Sequence, residues 1–286
     1  MSVLQLTVYE DARRFAAEAD AFLRAEEAAN SMIAMPAMRM ASKPNDDDAG
    51  SYMAVVRDGG TVVAAALQGA SGGILLTTAP DAAIALIALD IAGRGRRAKS
   101  LVGPLDACEA FARAWRECMQ QAHALRYHLR HFELTSAPAA AKAAGRLRRP
   151  DAGEYALLAD WQLAFIEELE LPDDRAQARR NLERRLERGV IRVWDDAGAA
   201  AFAGFGEGKD TARIAPVYTP PQLRGRGYAS AMVAELVREL FAAGKRAIFL
   251  TTDAANPTSN GIYRRIGFRP VADHYHFDFV EVGVLA

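Results

Sequence analysis

The chain is short of cysteine. Its 286 residues include two, Cys108 and Cys118, and the segment that holds them has the pattern of a helix. Side chains ten residues apart on a straight helix lie roughly 15 Å apart, which is too far for a disulfide. We therefore expect both cysteines to be packing residues of a protein in a reducing compartment.

An excess of either charge and a long hydrophobic run are also missing. Lysine and arginine number 35 against 36 aspartates and glutamates, so the net charge is −1. Such a balance argues against a surface that binds nucleic acid or anionic lipid. The most apolar stretch, at 82–92, contains Asp90 and is shorter than the roughly 20 residues that span a bilayer. We expect a cytoplasmic protein with neither nucleic acid nor a membrane as its partner.

What is present is an ordinary globular composition, with 51% hydrophobic and 25% charged residues, and a length that favours two domains. The segment SAPAAAKAAGRLRRP at 136–150 is small, basic and closed by proline, which is typical of a junction. We predict domains at 1–140 and 150–286. The second has the predicted order α-α-β-β-β-α-β-α-β, which indicates an α/β (α+β) fold with helices packed on a mixed sheet.

The first chemical motif, VYTPPQLRGRGYA at 217–229, lies between a predicted strand and the most regular amphipathic helix of the chain. Gly225 and Gly227 stand where that helix begins. The first amides of a helix have no internal acceptors and lie at the positive end of its dipole. Because glycine has no Cβ, a phosphate can approach this backbone closely. The motif predicts a diphosphate cradle, although a Gly-x-Gly turn alone is also typical of tight helix packing.

The second motif, NPTSNGIYRRIGF at 256–268, begins another predicted helix. Asn260 and Tyr263 are three residues apart and therefore share a face of it. Together the two motifs resemble the GNAT superfamily of acetyl-CoA-dependent N-acetyltransferases, over about residues 151–279. The whole chain resembles the two-domain bacterial members in which the N-terminal half is a degenerate copy.

This resemblance implies a GNAT-like sheet in each half, acetyl-CoA as cosubstrate and no metal. It implies direct transfer of the acetyl group to a primary amine of a small molecule or peptide through a tetrahedral intermediate. Tyr263 would protonate the departing thiolate, as a phenol with a pKa of about 10 can. The residues that would bind the coenzyme are Val217, Tyr218, Thr219, Gln222, Leu223, Arg224, Gly225, Arg226, Gly227, Tyr228, Ala229, Asn256, Asn260 and Tyr263.

Several assignments stay open. A non-catalytic acetyl-CoA sensor would keep the 222–229 loop and could spare Tyr263, and a longer acyl group is a further alternative. A homodimer is also left open. The acidic candidates for the general base also have the pattern of solvated carboxylates; they are Glu167, Glu168 and Glu207.

Other side chains are assigned to packing or to the surface. Trp161 and Phe165 have core spacing and are interpreted first as packing residues, with a substrate wall as the alternative. We expect His274 and His276, in the closing strand, at the surface. Six arginines between 175 and 188 indicate a solvated helix face, and a role in holding an acidic substrate is the alternative.

The N-terminal half lacks the glycine loop. Before its corresponding helix it reads LTTAPD at 76–81, with Asp81 where a phosphate would lie. Because a carboxylate at a helix start repels a diphosphate, we expect one coenzyme site per chain.

Overall fold

A computed structural model describes residues 3–140, 143–170 and 175–280. Within them the chain forms two compact units. The first unit comprises residues 3–131, 252–257 and 270–280, and the second comprises residues 132–251 and 258–269. The units are therefore not two contiguous halves of the sequence. The expected bounds of 1–140 and 150–286 stay a prediction.

Twelve strands and eight helices lie in the described ranges. The strands are β1 Leu4–Tyr9, β2 Tyr52–Asp58, β3 Thr61–Gln68, β4 Gly73–Leu76, β5 Ser100–Gly103, β6 Ala122–Leu134, β7 Arg146–Arg148, β8 Ile191–Asp195, β9 Ala199–Glu207, β10 Thr211–Tyr218, β11 Ala247–Asp253 and β12 Arg269–Val280. The helices are α1 Ala12–Ala25, α2 Glu27–Ser42, α3 Asp81–Gly93, α4 Leu105–Met119, α5 Tyr155–Glu168, α6 Arg175–Glu187, α7 Tyr228–Ala242 and α8 Pro257–Ile266. None of the helices in the described part of the chain is both long and apolar enough to cross a membrane.

The first unit is a mixed sheet of order β1-β2-β3-β4-β5-β12-β6. Strand β12 comes from the C-terminal end of the chain and pairs antiparallel with β5. Phe279 on β12 packs against Phe111 and Trp115 of α4, each at 6.0 Å between ring centroids. Aromatic burial therefore holds this last strand in the first unit. Strand periodicity predicts that β12 exists, but it carries no information about which sheet the strand joins.

Each face of this sheet is covered by a pair of helices. Helices α3 and α4 bury one apolar cluster with Ile84, Ile87 and Phe111, and α1 and α2 bury the other with Phe15 and Ile33. The sequence predicts no helix over α2, in which Pro36 interrupts the helical pattern. Tertiary packing of its buried side overrides the low helix propensity of proline.

The cysteines lie on one helix, α4, as predicted. Cys108 is a buried packing residue, and burial raises the pKa of its thiol to about 12. The same expectation is wrong for Cys118, which is exposed. Cys118 lies in the last turn of α4, beyond Trp115, which is the last buried residue of that helix.

All five histidines lie on two strands of the first unit, β6 and β12: His123, His128, His131, His274 and His276. The expected surface position of His274 and His276 is wrong, since they are only 4% and 9% exposed. Their rings lie against side chains of the neighbouring strand β6, His274 against His131 at 4.3 Å and His276 against Tyr127 at 5.8 Å between centroids.

Burial lowers the pKa of His123 and of His276 below the usual value. Unfolded histidine has a pKa of about 6.5, so below that pH the unfolded chain binds more protons than the folded one. We predict that the urea midpoint falls as pH drops from 7.5 to 5.5. His123 stacks on Phe277 at 4.9 Å, so His123→Phe keeps a ring there and should reduce the fall. An equal fall in both proteins would contradict the assignment.

The second unit is a sheet of order β11-β10-β9-β8-β7. Strands β10 and β11 are parallel, and the other neighbours are antiparallel. Helix α7 covers one face, and α5 and α6 cover the other. The predicted order of helices and strands from residue 155 onward is confirmed, and β7 is an additional strand within the segment predicted to be a junction.

Candidate functional site

Strands β10 and β11 part near their middles. They pair in parallel only from Thr211 opposite Ala247 to Ile214 opposite Leu250. Beyond that point β10 continues to Tyr218 and pairs with β9 alone. Among the described residues, the edge of β10 that faces β11 therefore has no ladder partner after Ile214. This edge exposes backbone donors and acceptors to whatever lies between the strands.

A register shift in β10 accompanies this parting. It lies between Ile214 and Val217 in the pairing with β9. Ile214 belongs to the apolar cluster beneath α7, and Val217 packs against the same cluster. Three residues apart on a regular strand, the two side chains would face opposite sides. The shift re-aims the end of β10, as a bulge does.

Two glycines lead from this strand into α7. Gly225 and Gly227 have φ values of 79° and 81°, a left-handed conformation that side chains other than glycine rarely adopt. A Cβ on Gly225 would meet nothing within 4 Å, and one on Gly227 would lie 3.8 Å from Ala143 Cβ. Helix α7 begins at Tyr228, and its Gly227 cap supplies no side chain. No cap side chain therefore binds the first-turn amides of α7, and the backbone at the glycines can be approached closely, as an anion cradle requires.

Side chains from other elements hold this loop in place. Arg224 donates to the carbonyl of Thr219 at 2.8 Å and to both oxygens of Glu168 at 2.6 and 2.8 Å. The hydroxyl of Tyr218 also donates to Glu168, at 3.2 Å. The guanidinium of Arg224 therefore braces the loop against α5. Arg226 is exposed and has no ion-pair partner in the part of the chain that the structure describes.

The other residues predicted to bind the coenzyme differ in whether their side chains are available to a ligand. The side chain of Tyr228 is buried and donates to Asp196, so only its amide faces the open space. Leu223 packs against the cluster beneath α7, whereas Gln222 is exposed. The hydroxyl oxygen of Thr219 is buried with no hydrogen-bond partner among the described residues. That orphaned oxygen sits at the mouth of the loop and can take a ligand contact.

Helix α8 carries the second motif. Asn260 and Tyr263 are both buried, and the ring of Tyr263 packs against Phe132 and Phe268 at 6.2 and 6.0 Å. Burial raises the pKa of Tyr263 to about 12, so its phenol is protonated at neutral pH. Tyr263 belongs to the same cluster as Ile214, on the α7 side of the sheet. Asn256 lies in the 252–257 segment of the first unit, so its coenzyme role stays a prediction.

Each acidic candidate for the general base has a cationic partner. Glu168 binds Arg224, Glu167 lies 2.5 Å from Arg175, and Glu207 lies 3.3 Å from Lys245. None of the three is distinguished as a base by its surroundings. Trp161 is buried against Phe202 and Tyr218, which confirms its packing role. The described residues contain no cluster of histidine, cysteine, aspartate and glutamate that could hold a metal.

The model of the acetyltransferase (GNAT) family matches residues 155–268, which include β10, the glycine loop and α8. This segment is therefore similar to a GNAT acetyltransferase domain. The chemistry of that family is acyl transfer, and its members generally use acetyl-CoA. No curated protein matches the chain by sequence.

Solved structures extend the GNAT fold to nearly the whole chain. A GCN5-related N-acetyltransferase from Sphaerobacter thermophilus is 16% identical, with a TM-score of 0.62 over 98% of this chain and 95% of that one. A tandem GNAT protein from the clavulanic acid biosynthesis pathway is 16% identical, with a TM-score of 0.59 over 98% and 99%. A Drosophila protein is 12% identical, with a TM-score of 0.66 over 98% and 99%. Likeness at such identity concerns the fold, and it confirms the predicted GNAT-like α/β architecture.

The first unit has a GNAT-like order of elements, but its described residues contain no comparable opening. Its parallel strands β4 and β5 are still in contact at their ends, since a Cβ on Gly103 would lie 3.1 Å from the carbonyl oxygen of Leu76. Helix α3 begins at Asp81, whose carboxylate pairs with Arg113 at 2.7 Å. In the described part of the chain before this helix there are neither parted strands nor a glycine loop.

Replacing Gly227 by aspartate would place a carboxylate in the open space before α7. We predict that affinity for coenzyme A falls at least tenfold, or about 1.4 kcal/mol, in isothermal titration. Gly244→Asp is the matched control, because Gly244 has φ 87° and open space around it at the other end of α7. Equal affinity in a folded Gly227→Asp variant and in the control would place the phosphates elsewhere.

Proposed function

We propose that this protein transfers the acetyl group of acetyl-CoA to a primary amine of a small molecule or peptide in the cytoplasm. The observation that carries the proposal is the parting of β10 and β11 directly before the Gly225–Gly227 loop. Parted strands offer hydrogen bonds to an extended ligand, and the loop offers amides to its phosphates. The orphaned hydroxyl of Thr219 fits the same ligand.

Each part of the site would hold a different part of acetyl-CoA. The amides from Leu223 to Ala229 would hold the pyrophosphate, and the backbone of Val217 and Thr219 would pair with the pantetheine arm. An amide on that edge of β10 would also stabilise the negative charge that develops on the thioester oxygen. Donors fixed in advance at that position supply the largest stabilisation of an acyl-transfer transition state.

The acceptor has to lose a proton before it attacks, because an alkyl ammonium has a pKa of about 10.4. The three acidic candidates are engaged with cations. We therefore assign the proton to water rather than to one of these carboxylates.

Tyr263 would act on the leaving group. Its phenol has a pKa of about 12, whereas an ordinary thiol has one of about 8.5. Full transfer of its proton to the thiolate would cost on the order of 5 kcal/mol by this difference. Tyr263 would therefore stabilise the developing sulfur anion chiefly as a hydrogen-bond donor.

A non-catalytic acetyl-CoA sensor is the alternative from another class. It needs the glycine loop and has no use for a protonated phenol on α8. Isothermal titration with acetyl-CoA, followed by a thiol-release assay over a panel of amines, separates the two. Binding with thiol release that depends on an amine supports the enzyme; binding with no release for any amine supports the sensor. Comparison of acetyl-CoA with longer acyl donors in the same assay decides the acyl length.

Replacing Tyr263 by phenylalanine keeps its ring between Phe132 and Phe268 and removes the donor. We predict that kcat at saturating acetyl-CoA falls about 10²-fold, while acetyl-CoA affinity changes only a few-fold. The matched control is Tyr155→Phe, since Tyr155 donates its hydroxyl to Glu183, outside the proposed site. If kcat is equal in both variants with chemistry rate-limiting, Tyr263 has no part in the reaction.

A further inference from the structure

Arg185 and Arg213, both in the second unit, have no acidic partner among the residues that the structure describes. Arg213 lies on β10 opposite Gly206 of β9 and Phe249 of β11, and its Nε is buried with no hydrogen-bond partner in the described ranges. Arg185, on α6, donates from Nη1 to the carbonyl of Ala215 at 2.9 Å. Neither guanidinium forms an ion pair with a carboxylate of the described residues.

The two guanidinium groups also repel each other. Burial and the nearby charge of Arg185 lower the pKa of Arg213 to about 10. Burial and the charge of Arg188 lower the pKa of Arg185 to about 10. Both side chains are therefore still charged at neutral pH, and an unpaired charge held away from water destabilises a fold.

Other buried or partly buried arginines of the same unit form ion pairs with carboxylates. Arg192 is buried and forms an ion pair with Glu239. Arg148 binds Glu154 at 2.7 Å and Asp195 at 2.9 Å. The fold supplies carboxylates to these arginines, but among the described residues it supplies none to Arg185 or Arg213, which leaves both guanidinium groups open to an anion from outside the chain.

The backbone makes room for this pair at the point where the strands part. Arg213 lies one residue before Ile214, the last residue of β10 that pairs with β11. Gly204 of β9 leaves space for Arg185, since a Cβ there would lie 3.0 Å from its Nη1. Both residues keep some exposed surface, so a small solute can reach them although burial reduces their contact with water.

The pair lies on the face of the sheet opposite the glycine loop. Ala212 and Ile214 belong to the cluster beneath α7, and strand alternation turns Arg213 to the α5 and α6 side. The proposed coenzyme contacts Leu223 and Tyr263 lie on the α7 side. A substrate that approaches from the other face would meet the two guanidiniums beside the opening between β10 and β11.

We propose that Arg185 and Arg213 bind a carboxylate of the substrate, and that the acceptor is an amine that carries this carboxylate, such as an amino acid. The inference rests on the proposed transfer to an amine. Guanidinium groups bind carboxylates through charge-assisted hydrogen bonds. Their charges would also favour the neutral form of the nearby amine, which is the form that attacks. A carboxylate on the acyl group of the donor has the same chemistry, and the experiment distinguishes the two sources.

The first arm measures binding without turnover. Sodium malonate at constant ionic strength, with sodium chloride as reference, is titrated against wild type, Arg185→Gln, Arg213→Gln and the control Arg179→Gln, which changes an exposed arginine of α6. We expect malonate to raise Tm of wild type and control by about 3 °C more than Tm of the two test variants. Without malonate the test variants should melt no lower than wild type, because an unpaired charge is removed. If the test variants melt at a lower Tm than wild type and malonate raises the Tm of all four proteins equally, the two arginines have a structural role and the proposal is overturned.

The second arm uses matched substrates. With acetyl-CoA as donor, we expect wild type to prefer 5-aminopentanoate over pentylamine at least tenfold in kcat/KM. Arg213→Gln should lose that preference while its acetyl-CoA affinity is kept. A preference for succinyl-CoA over acetyl-CoA instead would assign the carboxylate to the donor. No preference in either comparison overturns the site. No turnover with any amine, together with the malonate difference, would reject the transferase and leave the carboxylate site standing.

Discussion

The second unit depends on one constraint, which is that two parallel strands stop pairing halfway along their length. Beyond Ile214 and Leu250, strand β10 keeps its hydrogen bonds to β9 and loses those to β11. Buried backbone groups have to find partners, so this opening is costly unless a ligand or water fills it. The glycine loop, the start of α7 and the half-buried arginines all lie at its borders. The proposed coenzyme and acceptor sites are the two faces of the same gap.

The first unit has the same order of elements, but its parallel strands do not part. Its strands β4 and β5 are in contact to their ends, where Gly103 lies against Leu76. Its corresponding helix begins with Asp81, which is engaged with Arg113. The sheet is completed by β12 from the far end of the chain, and the aromatic residues of β12 fill its core. This unit therefore has the features of a scaffold rather than of a second coenzyme site.

The parts of the site that depend on local backbone chemistry are predictable from the sequence. A Gly-x-Gly turn before an amphipathic helix predicts positive φ values and an accessible backbone, and Gly225 and Gly227 have both. Long-range pairing is not predictable in this way. The contact of Arg224 with Glu168 joins residues 56 positions apart, and no local pattern favours it over a contact with a phosphate.

The role proposed for Arg213 is not predictable from the sequence, for a related reason. One charged residue in a strand pattern is ordinarily a solvated edge residue, and its significance comes from what lies around it. Only the position of α6 shows that Arg185 leaves the solvated arginine face and joins it. The surface position predicted for the histidines of β12 is wrong because the sequence does not show which side chains of β6 lie against them.

The most direct test of the account is hydrogen exchange, with mass spectrometry, of the free protein and of the protein saturated with acetyl-CoA. The account predicts that exchange slows in peptides covering 215–230, where the edge of β10 and the first turn of α7 donate to the ligand. Peptides covering 76–83, at the start of α3, should exchange at the same rate in both states. Protection at 76–83, or none at 215–230 under saturating ligand, would contradict the claim that the parted strands of the second unit form the coenzyme site.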